Sequence, residues 1–187
     1  ICLMNLKALH HYLTTLSPSE EKYRKGYVYD GWNDMPKKQC NGVEYSVANL
    51  GVAHLSLGNK SPRHFPSLNA EFSEIAIKKN SRFSAVPEHI HTYIEINYVY
   101  SGNCPQVIDG HPITLHENQV LLIDTNCPHS IAPLGENDIM ISIIPKTDFL
   151  REHVFNQFSN DSILSRFFIN AINEKTDHDH YLLFHSE

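Results

Sequence analysis

The chain has 187 residues, which at roughly 150 residues per domain is one domain with a short appendage. Apolar residues make up 41% and charged residues 19%, the balance of a globular chain and not of a disordered or coiled-coil one. The 15 Lys and Arg against 21 Asp and Glu give a net charge of −6, which makes the chain by itself a poor candidate for gripping phosphate backbones.

No apolar stretch approaches the roughly 18 residues of a membrane span, and no basic-then-apolar leader opens the chain. Cys2, Cys40, Cys104 and Cys127 are widely spaced, with no Cys-x-x-Cys pair, and read as free thiols of a reducing compartment. The expected location is therefore cytoplasmic. The chain opens on Ile1 and stops at Glu187 without an obvious terminator, so a piece of something longer is expected.

In chain order, Leu6, Leu9, Leu13 and Leu16 predict a helix over Leu3 to Leu16, ended at Ser17-Pro18 because the residue before a proline avoids the α region. Gly26 to Pro66 is punctuated by Gly, Pro and Asn and yields no assignment; Trp32 and Tyr45 read as anchoring residues there. After Ser67 the texture changes to short β-rich runs, predicted at Phe72–Ile77, Arg82–Val86, Tyr93–Tyr100, Gln106–Ile108, Ile113–Leu115, Val120–Asp124, Ser130–Ala132 and Ile139–Ile144. Asp109-Gly110 is a type I′ hairpin signal, with Lys79-Asn80 and Ser101-Gly102 as weaker turns. Short strands at this spacing mean a sandwich or jelly-roll barrel, since nothing helical separates them.

Thr147 can cap a helix through Phe158, with Leu150, Val154, Phe155 and Phe158 on one face. A further helix, starting at Asn160 or Asp161, carries Ile163, Leu164, Phe167, Phe168, Ala171 and Ile172 as its apolar stripe. The phenylalanines of this region are the candidate dimer or interdomain contact. His178 to Glu187 closes no pattern, and His178-Asp179-His180 reads as a solvated loop more readily than as a metal ligand pair.

The informative segment is His89-Ile90-His91-Thr92-Tyr93-Ile94-Glu95, with Gly102 after six more residues. Even separations place His89, His91 and Glu95 on one face of a strand. Two imidazoles and a carboxylate there are ligands that Zn, Fe, Mn or Ni accepts, and His129 is placed to supply a fourth from another strand. A strand whose histidines face solvent fits the same spacing, and Ile90, Ile94 and Ile96 fall on the opposite face. Both faces can be covered in a small barrel, with a polar pocket inside. Tyr93, Asn97 and Val99 share the face of Glu95, and Tyr93 and Asn97 are the candidate ligand-binding residues.

His89-x-His91-x3-Glu95-x6-Gly102 resembles the first cupin motif, Gly-x5-His-x-His-x3,4-Glu-x6-Gly, with Phe83 in place of the leading glycine. His129 matches the histidine of the second motif, Gly-x5-Pro-x-Gly-x2-His-x3-Asn, where Asn118, Asp124, Asn126 and Pro133 replace the Gly, Pro, Gly and Asn. The resemblance implies a double-stranded β-helix, a cupin or jelly-roll barrel that is mainly β, with an amino-terminal helical arm and carboxy-terminal helices. It also implies a divalent metal on His89, His91, Glu95 and His129.

The run from His89 to Gly102, then Ile108-Asp109-Gly110, Val120 to Ile123 and Pro128-His129, with the tail from Asp148 to Phe184, is similar to the sensor domains of arabinose-regulator (AraC) family transcription factors. That resemblance covers roughly residues 68 to 187. It implies an arm over 1–66, a barrel over 67–146, and helices over 147–187 that lead to a helix-turn-helix half not in this chain. Such a protein is a bacterial homodimer that binds a small-molecule effector, a sugar or other polar metabolite, and is not an enzyme. The alternative is a metal-dependent cupin enzyme, a dioxygenase or isomerase, for which three histidines and a glutamate leave open coordination positions; a metal-binding or structural module is a third class.

Overall fold

A computed structural model describes residues 5–48, 74–154, 162–173, 175 and 177–185. Cys2, Leu3, Phe72, Phe155, Phe158, Asn160 and Asp161 lie outside the described residues. The arm begins with α1 (Leu6–Thr14), capped by the Asn5 side chain on the Ala8 amide. Ser17-Pro18 ends this helix and starts another. In α2 (Pro18–Arg24) the Ser17 hydroxyl accepts from the Glu20 amide while Glu20 accepts from the Ser17 amide, a capping box with proline in the first turn. The stretch that yields no assignment from sequence contains a hairpin, β1 (Lys37–Cys40) and β2 (Val43–Val47). Asn41-Gly42 closes it with φ of 50° and 80°, as a two-residue turn requires.

All eight expected strands have counterparts: β3 (Ile75–Lys79), β4 (Val86–Ile90), β5 (Glu95–Ser101), β6 (Asn103–Ile108), β7 (His111–His116), β8 (Val120–Ile123), β9 (His129–Ile131) and β10 (Ile139–Pro145). The tail adds β11 (Tyr181–Phe184), antiparallel to β8. The strands form two sheets, ordered β1-β2-β4-β9-β6-β7 and β11-β8-β5-β10-β3. Val99, Leu121, Ile123 and Met140 from one sheet meet Cys104, Ile108, Leu115 and Ile131 from the other in a shared apolar core. The architecture is the expected mainly β cupin barrel. The arm is continuous with it, because β2 runs parallel to β4 with Ser46 opposite His89.

Two expected strands start later than the periodicity suggests. Arg82–Val86 is mostly a turn: Phe83 takes a left-handed φ of 64°, and Arg82 is pinned through its Nε to Glu20 Oε1 at 2.9 Å. β5 begins at Glu95, not Tyr93. The His-x-His-x3-Glu run is therefore not one strand. β4 ends at Ile90, the chain turns, and Glu95 enters the other sheet.

The motif positions that have lost glycine keep its backbone. Phe83, Asn118 and Asn126 have φ of 64°, 66° and 57°, alongside the retained Gly102 at 74°. Asparagine tolerates this region through its short polar side chain, whereas phenylalanine there is strained. At Gly102 a Cβ would also collide with the Asp138 carboxylate.

The carboxy-terminal expectation needs correction. Over the described residues the helix expected from Thr147 is α3 (Thr147–Phe149) passing into a π turn over Leu150–Val154, and its expected course to Phe158 lies outside them. The next helix, α4 (Ile163–Ile172), is capped by Ser162. Phe167 and Phe168 are not a dimer contact: each is 4% exposed, packed with Ile94, Leu122, Leu150 and Ala171 on the chain's own sheet. Alternation explains this, since Leu121 and Ile123 point into the barrel and leave Leu122 facing out, where an apolar helix must cover it.

Candidate metal centre

β4 and β9 are antiparallel neighbours with His89 opposite His129, and their rings lie 4.2 Å apart between centroids. His91 follows the end of β4, and its carbonyl accepts from the Asn126 amide at 2.7 Å. Asn126 thus ties the two histidine-bearing segments together at a left-handed turn, and its side chain accepts from Lys38 at 2.9 Å. Glu95 heads β5 and crosses to the same place from the facing sheet.

Donor atoms of His91, Glu95 and His129 all lie within 4.8 Å of one another, and all three residues are buried. His91 Nε2 donates to Glu95 Oε2 at 3.0 Å, while His129 Nε2 stands 3.7 Å from the same oxygen without a hydrogen bond. His129 Nδ1 donates to the Cys127 carbonyl at 2.9 Å and His89 Nδ1 to the Pro87 carbonyl at 2.8 Å. These backbone bonds fix the tautomer that leaves a lone pair on Nε2, as metal-bound histidines commonly require. His89 lines the same cavity but is outside the three-residue cluster.

Burial sets the charges. It pushes His89 down to about 2, helped by the neighbouring His129, and lowers His91 against the opposing pull of Glu95. Burial pushes Glu95 up, but the approach of His129 and His91 overrides it and holds the carboxyl well below its ordinary range. Neutral imidazoles around one carboxylate are the protonation states in which these groups bind a divalent ion. The fit is further supported by His129 Nε2 and His91 Nδ1, buried nitrogens with no hydrogen-bond partner among the described residues.

The cavity beside these groups measures about 10 Å³, room for a single water molecule. Its walls include Tyr93, Lys78, Asn80 and Trp32. Tyr93 stacks on His91 at 4.2 Å and gives its hydroxyl proton to the Ala48 carbonyl at 3.1 Å. Asn97 is fully buried but does not line the cavity; it accepts from Ser142, which accepts from Asn80. Val99 lies deeper, in the apolar core, so the face of Glu95 is polar at one end and apolar at the other. Trp32, read from sequence as an anchor, sits 5.2 Å from the His89 ring between centroids and walls the pocket from the arm. The described cysteines Cys40, Cys104 and Cys127 are all free, and burial pushes the Cys104 and Cys127 thiols up to about 12, which leaves those two inert at neutral pH. No described helix is long and apolar enough to cross a membrane.

Strand order and ligand cluster together define a small β-barrel with a candidate metal centre at one end of its interior. Residues 83–144 match the family model for the cupin domain, so this segment is a cupin domain. No curated protein matches the chain. Among solved structures, a conserved protein of unknown function from Streptococcus pyogenes aligns at 18% identity with a TM-score of 0.34, over 38% of this chain and 62% of its own length. A cupin protein from Bacteroides fragilis aligns at 21% identity and 0.34, over 41% and 69%. A mutant salicylate 1,2-dioxygenase from Pseudoaminobacter salicylatoxidans aligns at 22% and 0.37, over 46% and 26%. The chain thus spans less than two thirds of the first and about a quarter of the last.

Proposed function

We propose that this chain is the sensing half of a transcription regulator of the arabinose-regulator type, and that its cupin pocket holds a divalent transition-metal ion on His91, Glu95 and His129. One observation carries the metal: the converging buried donors include nitrogens with no hydrogen-bond partner among the described residues. Bound there, a metal would act as a structural or sensory ion with open coordination positions, and His89 is the neighbour poised to fill one. The regulator reading is supported by the sequence pattern over residues 68 to 187; the cavity of about 10 Å³ is far below the roughly 300 Å³ at which organic-ligand pockets begin. A sugar-sized effector would therefore need the barrel or arm to rearrange, and that rearrangement is how a sensor transmits occupancy. DNA contact is assigned to a helix-turn-helix half outside this chain, and dimerisation to this sensing domain.

Metal removal tests the site. Zn²⁺, Ni²⁺ or Mn²⁺ at about a hundred times its dissociation constant stabilises a one-site protein by roughly 3 kcal/mol, or about 5 to 10 °C in Tm. The expected result is such a rise in wild type, reversed by chelator and smaller by the barrel site's share in Glu95→Ala and His129→Ala. Identical melting of all three proteins with and without metal removes the ion from the proposal. The enzyme alternative is separated by the reading frame: a helix-turn-helix segment encoded beyond Glu187 supports the regulator, and its absence gives the lead to a metal-dependent dioxygenase or isomerase.

A further inference from the structure

A second group of ligand-type side chains lies on the opposite face of the five-stranded sheet. Asp124 follows β8 directly and is 1% exposed. His178 and His180 precede β11, which pairs with β8 so that Tyr181 stands opposite Ile123. The next rung continues the ladder, with the Asp124 amide donating to the His180 carbonyl at 2.9 Å. Because Ile123 points into the barrel, Asp124 and the alternate residues His180 and His178 point away from it, toward α4, where the Phe167 and His178 rings are 6.2 Å apart between centroids. The loop expected of His178-Asp179-His180 forms with Asp179 exposed, but its histidines turn inward: the His178 side chain is 7% exposed and that of His180 27%.

The geometry points to a second divalent-metal site, with Asp124, His178 and His180 as its ligands. Their donor atoms lie within 4.8 Å of one another. His178 Nε2 is 2.9 Å and His180 Nδ1 is 3.6 Å from Asp124 Oδ2. Ligands at about 2.0 to 2.1 Å around a tetrahedral ion stand roughly 3.3 Å apart, and the two observed separations bracket that value. These contacts are not hydrogen bonds: His178 Nε2, His178 Nδ1 and His180 Nδ1 are buried with no hydrogen-bond partner among the described residues. The Asp124 carboxylate is oriented by its other oxygen, which accepts from the Thr125 amide at 2.6 Å, leaving Oδ2 to the histidines. Two imidazoles and one carboxylate suit Zn²⁺, or Fe²⁺ in a facial arrangement with open positions. An ion there joins the start of β11 to the end of β8 and so clamps the tail onto the barrel.

The test uses Zn²⁺ with the chain as it stands, and it is independent of the barrel centre. Zn²⁺ stoichiometry is measured by titration of metal-free protein for wild type, Asp124→Ala, His178→Gln and the barrel variant Glu95→Ala. Asp124→Ala and His178→Gln should each bind one equivalent fewer than wild type, while Glu95→Ala keeps that equivalent whether or not the barrel centre binds. Equal uptake by wild type and His178→Gln overturns the site. Hydrogen exchange in wild type guards against a variant that does not fold. If opening β11 releases the ion, protection of the Leu182 and Phe184 amides, which face Leu122 and Val120 on alternate rungs from Asp124 and His180, should rise about a hundredfold at a hundred times the dissociation constant, and unchanged protection equally overturns the proposal.

Discussion

Glu20 and Glu95 are both carboxylates withdrawn from water, and both are held ionised, but their surroundings differ in kind. Glu20 is 0% exposed and meets cations: Arg82 Nε at 2.9 Å and Lys79 Nζ at 3.0 Å, with the Ser17 and Arg82 amides completing its bonds. The same Arg82 and Lys79 also donate to the Thr14, Thr15 and Leu13 carbonyls at the end of α1. There they satisfy the carbonyls a helix leaves open and oppose its negative end. Glu95 meets neutral imidazoles, and nitrogens beside it lack partners. The first cluster is complete as protein and fastens the arm to the barrel. The second leaves His129 Nε2 and His91 Nδ1 without hydrogen-bond partners among the described residues.

The largest expected effect tests the first half of that contrast. Arg82→Ala leaves Glu20 buried without its main partner and should cost about 3 to 5 kcal/mol of unfolding free energy, read by urea denaturation. Metal should not restore it. The double replacement Glu20→Gln with Arg82→Met should cost less than Arg82→Ala alone, because no unpaired charge remains. A loss below about 1 kcal/mol for Arg82→Ala would mean the clamp is not what finishes the Glu20 site.

Acid separates the two clusters on one axis. His89 is lowered to about 2 in the folded chain from an ordinary 6.5, so the unfolded chain binds its proton first and acid favours unfolding. The stability this group contributes is present above pH 6.5 and drains below it at about 1.4 kcal/mol per unit, or about 2 kcal/mol between pH 6.5 and 5. Lowering of His91 acts in the same direction. Glu20 is lowered from 4.5 to about 2, since Arg82, the Ser17 amide and Lys79 together override the burial that would raise it; its contribution is intact above 4.5 and lost only below. Glu95 follows it into that lower window. Metal-free protein should therefore weaken in two stages, and His89→Gln should flatten the upper stage while leaving the lower. A single transition confined below pH 4.5 would break the assignment of buried neutral histidines.

Much of the barrel was readable because its signals are local. Alternation placed eight strands, and Asp109-Gly110 gave the turn between Ile108 and His111, which pair across it as expected. Two further features are equally local, the Ser17-Pro18-Ser19-Glu20 capping box and the Asn41-Gly42 turn, the latter masked by polar flanks in Lys37 to Gln39. The spacing of His89, His91 and Glu95 pointed to the right residues by an incomplete route, since the chain changes sheets between them. Other features depend on contacts that no local pattern encodes. Trp32 reaches the pocket only through the fold of the arm. β11 lacks polar alternation because Tyr181 and Leu183 pack inward while Leu182 and Phe184 pack under α4. The burial of His178 follows from that pairing.

The smallest effect concerns the turn that aligns the open cluster. Asn126 stands where the cupin pattern has glycine, at φ 57°, with its amide on the His91 carbonyl. Replacing it by Ala or by Gly removes the same bond from Lys38, so the difference between the two variants isolates the backbone. Ala at a left-handed position costs about 1 kcal/mol or more and Gly does not. Asn126→Ala should thus be the less stable by about 1 kcal/mol, and should also bind metal more weakly if the turn sets the spacing of His91 and His129. Equal stability of the two would show that the left-handed turn is not demanded at this position. Equal stability with unequal metal affinity is not expected, because both effects act through one φ.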